Sequence, residues 1–230
     1  MELKSLTPTN PFWDNADWVE QWSKAFGQII REEIEGSPVP ITEWRSTGRK
    51  TKDNPHGEDM GWWSLQGVNL SRAYASWREN NPSYKLWVTP DGEAGNELNF
   101  TVNFGSVPVK VIIDRVFVLG DQLVVFDLKS GKSMPEDVLQ LAIYAAAIEL
   151  KYGLRPNLGA YFANRKGAIV GMEDLSEYTT EMLVKTMEDF IKQTETGVYL
   201  PNPGRQCTWC EAALHCPWGK SVASTVWRSN

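Results

Sequence analysis

The 230-residue sequence has only three cysteines and two histidines, and it has no apolar run long enough to cross a bilayer. The cysteines, Cys207, Cys210 and Cys216, are an odd number crowded into one short stretch. A disulfide framework needs pairs spread along the chain, so a stapled secreted fold is excluded and the thiols read as metal ligands. Residues Met1 to Asn10 carry neither the basic start nor the apolar middle of a signal peptide, so a cytoplasmic protein with no membrane partner is expected. Positive charge is also scarce: 23 Lys and Arg face 29 Asp and Glu, giving a net charge of -6 and a pI near 5.1. That balance argues against gripping a polyanion by bulk electrostatics. It does not exclude one, because divalent cations held by carboxylates reverse the local field.

What the chain does have is aromatic surface, with 11 Trp and 8 Phe, most of it expected in a core and some available for stacking on bases. Its length suits one domain, 1–230, read as a helical portion (1–80), a mixed core (84–196) and a cysteine-containing tail (197–230). Trp18, Trp22, Phe26, Ile29, Ile30 and Ile34 recur at helical spacing before Gly36 and Pro38. A polar, basic stretch follows, with Arg45, Arg49, Lys50 and Lys52, and then a second helical face: Met60, Trp63, Gly67, Leu70, Tyr74 and Trp77. From Tyr84 the pattern changes to short apolar runs broken by turns. Leu98 to Phe104, Val107 to Val118 and Leu123 to Leu128 predict an antiparallel meander. Val138 to Leu150, apolar on nearly every side, predicts a buried helix. A strand at Leu158 to Ala163, a second at Ala168 to Val170 and a helix through Leu183, Met187, Phe190 and Ile191 complete the core.

The chemistry concentrates in Val111-Ile112-Ile113-Asp114-Arg115 and Val124-Val125-Phe126-Asp127-Leu128-Lys129-Ser130-Gly131. An acidic-x-Lys tripeptide alone arises by chance about once in such a chain. Here each aspartate ends a β-branched run, and the Leu119-Gly120-Asp121 turn sends the chain back between them. Residues i and i+2 of a strand share a face, so Asp127 and Lys129 point the same way, and pairing of the two strands brings Asp114 to them. Two carboxylates together repel unless a cation sits between them. Hard oxygen ligands suit Mg²⁺ or Mn²⁺, and a neighbouring ammonium can orient water or stabilise charge on phosphorus. The bland alternative is a pair of strand-end aspartates matched to Arg115 and Lys129 on a solvated rim.

These strings, followed by Gln140 and Tyr144, resemble the RecB-like nucleases of the PD-(D/E)XK superfamily, which include CRISPR-associated adaptation exonucleases and phage-encoded relatives. The resemblance covers residues 97–144 and the cysteine tail. It implies an α/β fold: a PD-(D/E)XK core with a small mixed sheet flanked by helices, a helical N-terminal portion and a Cys-rich C-terminal tail. It also implies metal ligation by Asp114, Asp127 and the Leu128 carbonyl, with Lys129 assisting the attacking water and Glu97 a further acidic ligand. Gln140 and Tyr144, one helical turn apart, fall in the active-site wall. One departure stands out. Relatives carry a histidine ligand four residues after a helical glycine, whereas Gly67 is followed by Ser71, leaving His56, Glu58 or water as substitutes.

The three tail cysteines match positions that, in the resembled family, hold a four-iron four-sulfur cluster together with a fourth cysteine, which this chain lacks. His56 as fourth ligand, a Cys3His zinc site with His215, a three-cysteine cluster and an empty site remain open. The implied activity is metal-dependent exonucleolytic hydrolysis of DNA, at ends or single strands, in recombination, repair or replication processing. The rivals are a catalytically weak DNA-binding or assembly module and a redox-sensing iron-sulfur protein. Trp62, Trp63 and Trp87 are the candidate stacking residues, and the Arg45 to Lys52 loop the candidate phosphate contact.

Overall fold

Helical spacing of apolar residues produces α1 (Trp18–Gly36) and α2 (Met60–Asn80). Helix α2 starts where the Asp59 carboxylate accepts the Trp62 N–H at 2.9 Å, filling one of the orphan donors of a helix start. The computed structural model describes residues 3–6, 18–41, 44, 52, 55, 57–197, 207, 210, 215 and 216. The basic residues Arg45, Arg49 and Lys50, and His56, lie outside them.

The strands are β1 (Ser5–Leu6), β2 (Lys85–Trp87), β3 (Asn96–Phe104), β4 (Val107–Leu119), β5 (Gln122–Lys129), β6 (Leu158–Ala163) and β7 (Ala168–Asp174). Among the described residues they form one sheet in the order β1-β2-β4-β5-β6-β7, with β3 also paired to β4. The expected meander β3-β4-β5 is antiparallel, and the sheet is mixed because β5 and β6 run parallel. A parallel pair needs a crossover, which α3 (Leu139–Tyr152) supplies. Gly153, at φ 69°, closes α3 in the left-handed conformation that glycine tolerates best. A last helix, α4, spans Thr180–Thr196.

Sequence explains the layers. In β5, Leu123 through Asp127 are all buried, which requires cover on both faces. On one face Tyr74 and Trp77 of α2 pack with Phe117, Val124, Phe126, Ala160 and Phe162. On the other lies α3, whose Leu141, Ala142 and Ala145 to Ile148 are fully buried. Small alanine side chains let that helix approach the sheet closely. The short strands β1 and β2 were not expected. Trp87, expected as a stacking candidate, is core: it is 1% exposed and packs edge-on against Tyr152 at 5.4 Å.

The chain divides into two compact units, Met1–Val184 and Lys185–Asn230. The first holds the sheet and α1 to α3. In the second, the described helical turns carry the Lys185–Asp189 ion pair at 2.6 Å, four residues apart on one face.

Candidate active site

Strand β4 has β3 along one side as far as Arg115 and β2 beyond it, while on its other side the β4–β5 ladder covers only Arg115 to Leu119 and stops at Arg115 opposite Phe126. Beyond that point β5 continues against β6 alone, with Asp127 opposite Tyr161 and Lys129 opposite Ala163. The resulting split leaves the Leu128 N–H without a strand partner on the β4 side. Asp114 fills the gap: its Oδ2 accepts that N–H at 2.7 Å. The site therefore forms at the end of an interior strand.

Alternation along β5 puts Asp127 and Lys129 on the α3 side, where Gln140 joins them. Lys129 Nζ lies 2.6 Å from Asp127 Oδ2 and donates to Gln140 Oε1 at 2.8 Å. Because an ammonium only donates, the Gln140 oxygen must face it and the amide NH₂ must face away. That NH₂ donates to Asp127 Oδ1 at 2.6 Å and to the Tyr144 hydroxyl at 2.8 Å. The Tyr144 hydroxyl proton is left for Asp127 Oδ1, at a longer 3.4 Å. Lys129 also sits 5.5 Å from the centre of the Tyr161 ring.

The electrostatics carry unmet negative charge. Asp127 is 3% exposed, and its Oδ2, though in charge contact with Lys129, has no directed hydrogen bond among the described residues. Burial, and then the neighbouring carboxylates of Asp127 and Glu97, push the Asp114 carboxyl above its usual range despite the Leu128 N–H. Burial, assisted by Asp127, pushes Tyr144 and Tyr161 each up to about 12, so both stay protonated and neither is a base at neutral pH. An all-oxygen donor set with two mutually repelling carboxylates fits a hard divalent cation. Mg²⁺ needs only one or two carboxylates when water and substrate phosphate complete its shell.

Glu97 stands beside Asp114's strand, is mostly exposed, and pairs with Arg115 at 3.2 Å. Its φ of 51° is left-handed, an unfavourable conformation for a residue with a Cβ. Among the described residues no group of three His, Cys, Asp or Glu side chains is gathered for a metal ion, so Glu97 does not close on the two aspartates. Glu58, weighed as a substitute ligand, is occupied: Arg165 holds it at 2.7 and 3.2 Å and Lys132 at 2.9 Å. This clamp ties the start of α2 to the loop after Lys129, since Arg165 also donates to the Ser130 carbonyl at 2.6 Å. Sequence reading missed Arg165, which lies over the rings of Trp62 and Trp63 at 4.9 and 5.7 Å. Its ligand is 107 residues away, and no local pattern signals such a pair.

A family model described as the PD-(D/E)XK nuclease superfamily matches residues 19–217, most of the chain. The chain belongs to the PD-(D/E)XK nuclease superfamily. It is similar to the Gene 69 protein of Mycobacterium phage D29, 30% identical over 238 aligned residues that cover 88% of this chain and 86% of the relative. It is also similar to the Gene 69 protein of Mycobacterium phage L5, 26% identical over 177 residues that cover 66% of this chain and 60% of the relative. Membership makes the chain a nuclease of a metal-dependent class that acts on DNA, and gives the cluster at the end of β5 its chemical context. No helix among the described residues is long and apolar enough to cross a membrane.

Among the described residues Cys207, Cys210, Cys216 and His215 do not form a metal-holding group.

Proposed function

We propose that this protein is a metal-dependent DNA exonuclease of the RecB-like group, with Asp114, Asp127, Lys129, Gln140 and Tyr144 as its active residues. The observation that carries the reading is the closed hydrogen-bond circuit Lys129–Gln140–Asp127. It fixes an ammonium beside a buried carboxylate at the open end of β5.

Asp114, Asp127 and the Leu128 carbonyl would hold Mg²⁺ or Mn²⁺, with Glu97 within electrostatic reach through Asp114. When bound, the cation supplies positive charge for a phosphate oxygen and lowers the pKa of water. Lys129 donates to Gln140 and stands in ion contact with Asp127. Its ammonium would orient the attacking water or meet charge developing on the phosphoryl oxygens. Gln140, bonded to both Lys129 and Asp127, holds the two side chains in fixed register. Tyr144, protonated at neutral pH, donates to Asp127 and contributes no base. The resemblance read from the sequence suggests a role in recombination, repair or replication of DNA, and the phage origin of the relatives suggests the cytoplasm of an infected host as its setting. No step runs through an iron-sulfur cluster. The visible spectrum of anaerobically purified protein decides separately whether one is bound.

The test uses end-labelled single- and double-stranded DNA with wild type and Lys129→Ala, in Mg²⁺, Mn²⁺ or EDTA. Metal-dependent release of mononucleotides from an end by wild type alone supports the reading. Internal nicks from the outset would make the protein an endonuclease. Inactivity of folded wild type in both metals would favour a DNA-binding module that has kept the fold.

A further inference from the structure

The alternation that turns Asp127 and Lys129 toward α3 turns Leu128 and Ser130 to the opposite side. There they line a cavity of about 420 Å³ between the end of β5 and helices α1 and α2. Its remaining walls include the aromatic rings of Trp22, Trp63 and Tyr74, and it is rimmed by Arg115, Ser71 and Asn164. Mostly apolar and aromatic lining with a few polar groups is the composition of a small-ligand pocket, and the volume is within the usual range.

The cavity is continuous with the catalytic strand, and that continuity points to its occupant. Leu128 contributes its side chain to the cavity and its N–H to Asp114, and the Asn164 N–H donates to the Lys129 carbonyl at 3.0 Å. A ligand that joins a planar, polar-edged ring to a phosphate would reach across the strand end from one side to the other.

From this we infer that the cavity receives the base of the nucleotide adjoining the scissile phosphate, which requires an unpaired strand. The inference rests on the proposed nuclease reading and specifies its substrate as single-stranded DNA. Aromatic rings take any base by its face, while the polar side chains of Arg115, Ser71 and Asn164 at the rim are there for its edge. Ser71 matters by being small, since a bulky side chain there would occupy the space.

The test is binding of a short, end-labelled oligothymidylate to the Lys129→Ala protein in EDTA, read by fluorescence anisotropy. One abasic nucleotide is moved along the strand. One position should weaken binding roughly ten-fold while its neighbours do little, in line with the loss of a single base–aromatic stack. Adding Ser71→Trp should lower affinity for the intact strand to the same level and remove the response to the abasic position. Asn164→Ala, which barely alters the shape, should show a partial loss at that position and serves if Ser71→Trp fails to fold. An even response along the strand, or intact-strand affinity retained by a folded Ser71→Trp protein, overturns the inference. Cleavage by wild type without any such base dependence keeps the nuclease and removes the pocket. Base-specific binding by a wild type that never cleaves keeps the pocket and removes the nuclease.

Discussion

Asp114 Oδ2 accepts the Leu128 N–H at 2.7 Å across the point where β4 and β5 stop pairing. The same carboxylate thus caps a backbone donor and faces Asp127, and the two duties respond differently to mutation.

Asp114→Asn keeps an oxygen for the Leu128 N–H and removes one of two repelling charges. In EDTA its melting temperature should equal or exceed that of wild type, because the carboxyl it replaces is already pushed toward its neutral form. Cleavage should fall by at least roughly 100-fold, since a metal ligand counts for more than the outer-shell groups that typically cost 10–100-fold. Asp114→Ala should be inactive as well, but should lose about 1–3 kcal/mol by leaving the Leu128 N–H unmet. Thermal melts of the pair separate the two duties. Equal melting of Asn and Ala variants would show that the cap carries no weight.

Metal binding should be visible without any substrate. Mn²⁺ at about 100 times its dissociation constant should stabilise wild type by about 2.7 kcal/mol. Asp127→Asn should lose that increment, since it removes the charge of the buried carboxylate proposed to hold the cation. A Mn²⁺-induced rise in melting temperature that survives in Asp127→Asn would locate the cation elsewhere.

Glu58 gives a pH prediction with a definite sign. Burial alone would raise its carboxyl pKa, but Arg165 and Lys132 together outweigh burial and hold it below the usual range. A carboxylate with a depressed folded-state pKa contributes stability above its unfolded pKa and loses it as pH falls through the folded one. Glu58→Gln should therefore be less stable than wild type at pH 7 by roughly 1–3 kcal/mol. The gap should shrink as pH falls below the ordinary glutamate value of about 4.3 and vanish only below the lower folded-state value, where wild type is protonated too. Urea titrations at the two pH values test this, and a gap that stays constant with pH would mean the ion pairs are not its source.

Much of the core site was legible because its geometry is local. Asp127 and Lys129 are two apart on a strand, Gln140 and Tyr144 four apart on a helix, and periodicity alone turns each pair to one face. The β-branched runs around Asp114 and Asp127 announced the antiparallel pair, and the alanine-rich stretch announced the buried helix. What stayed hidden depends on contacts between distant segments. Nothing near Arg115 says that the β4–β5 ladder stops there, and nothing near Glu58 points to Arg165. Trp87 offered the same large ring as Trp63 to any reading by composition. Their difference is set by the short strand β2, too brief to show a period.

Gly67 gives the sharpest contrast between local preference and packing. In an exposed helix interior, glycine to alanine is expected to stabilise by roughly 0.5–1 kcal/mol, because glycine loses more conformational freedom on folding. At position 67 a Cβ would lie 1.9 Å from the Trp22 ring, well inside contact distance, so the ring, and α1 with it, would have to move. Overpacking of this kind typically costs 1–3 kcal/mol, which exceeds the propensity gain. Gly67→Ala should accordingly lower the melting temperature. Because Trp22 also walls the cavity beside β5, it should weaken binding of single-stranded DNA more than binding of Mn²⁺. Denaturation curves, with Mn²⁺ and oligonucleotide titrations of the same variant, test both parts. A stabilised Gly67→Ala protein would mean that α1 does not pack against α2 through Trp22 in solution, and the cavity would then lack one of its walls.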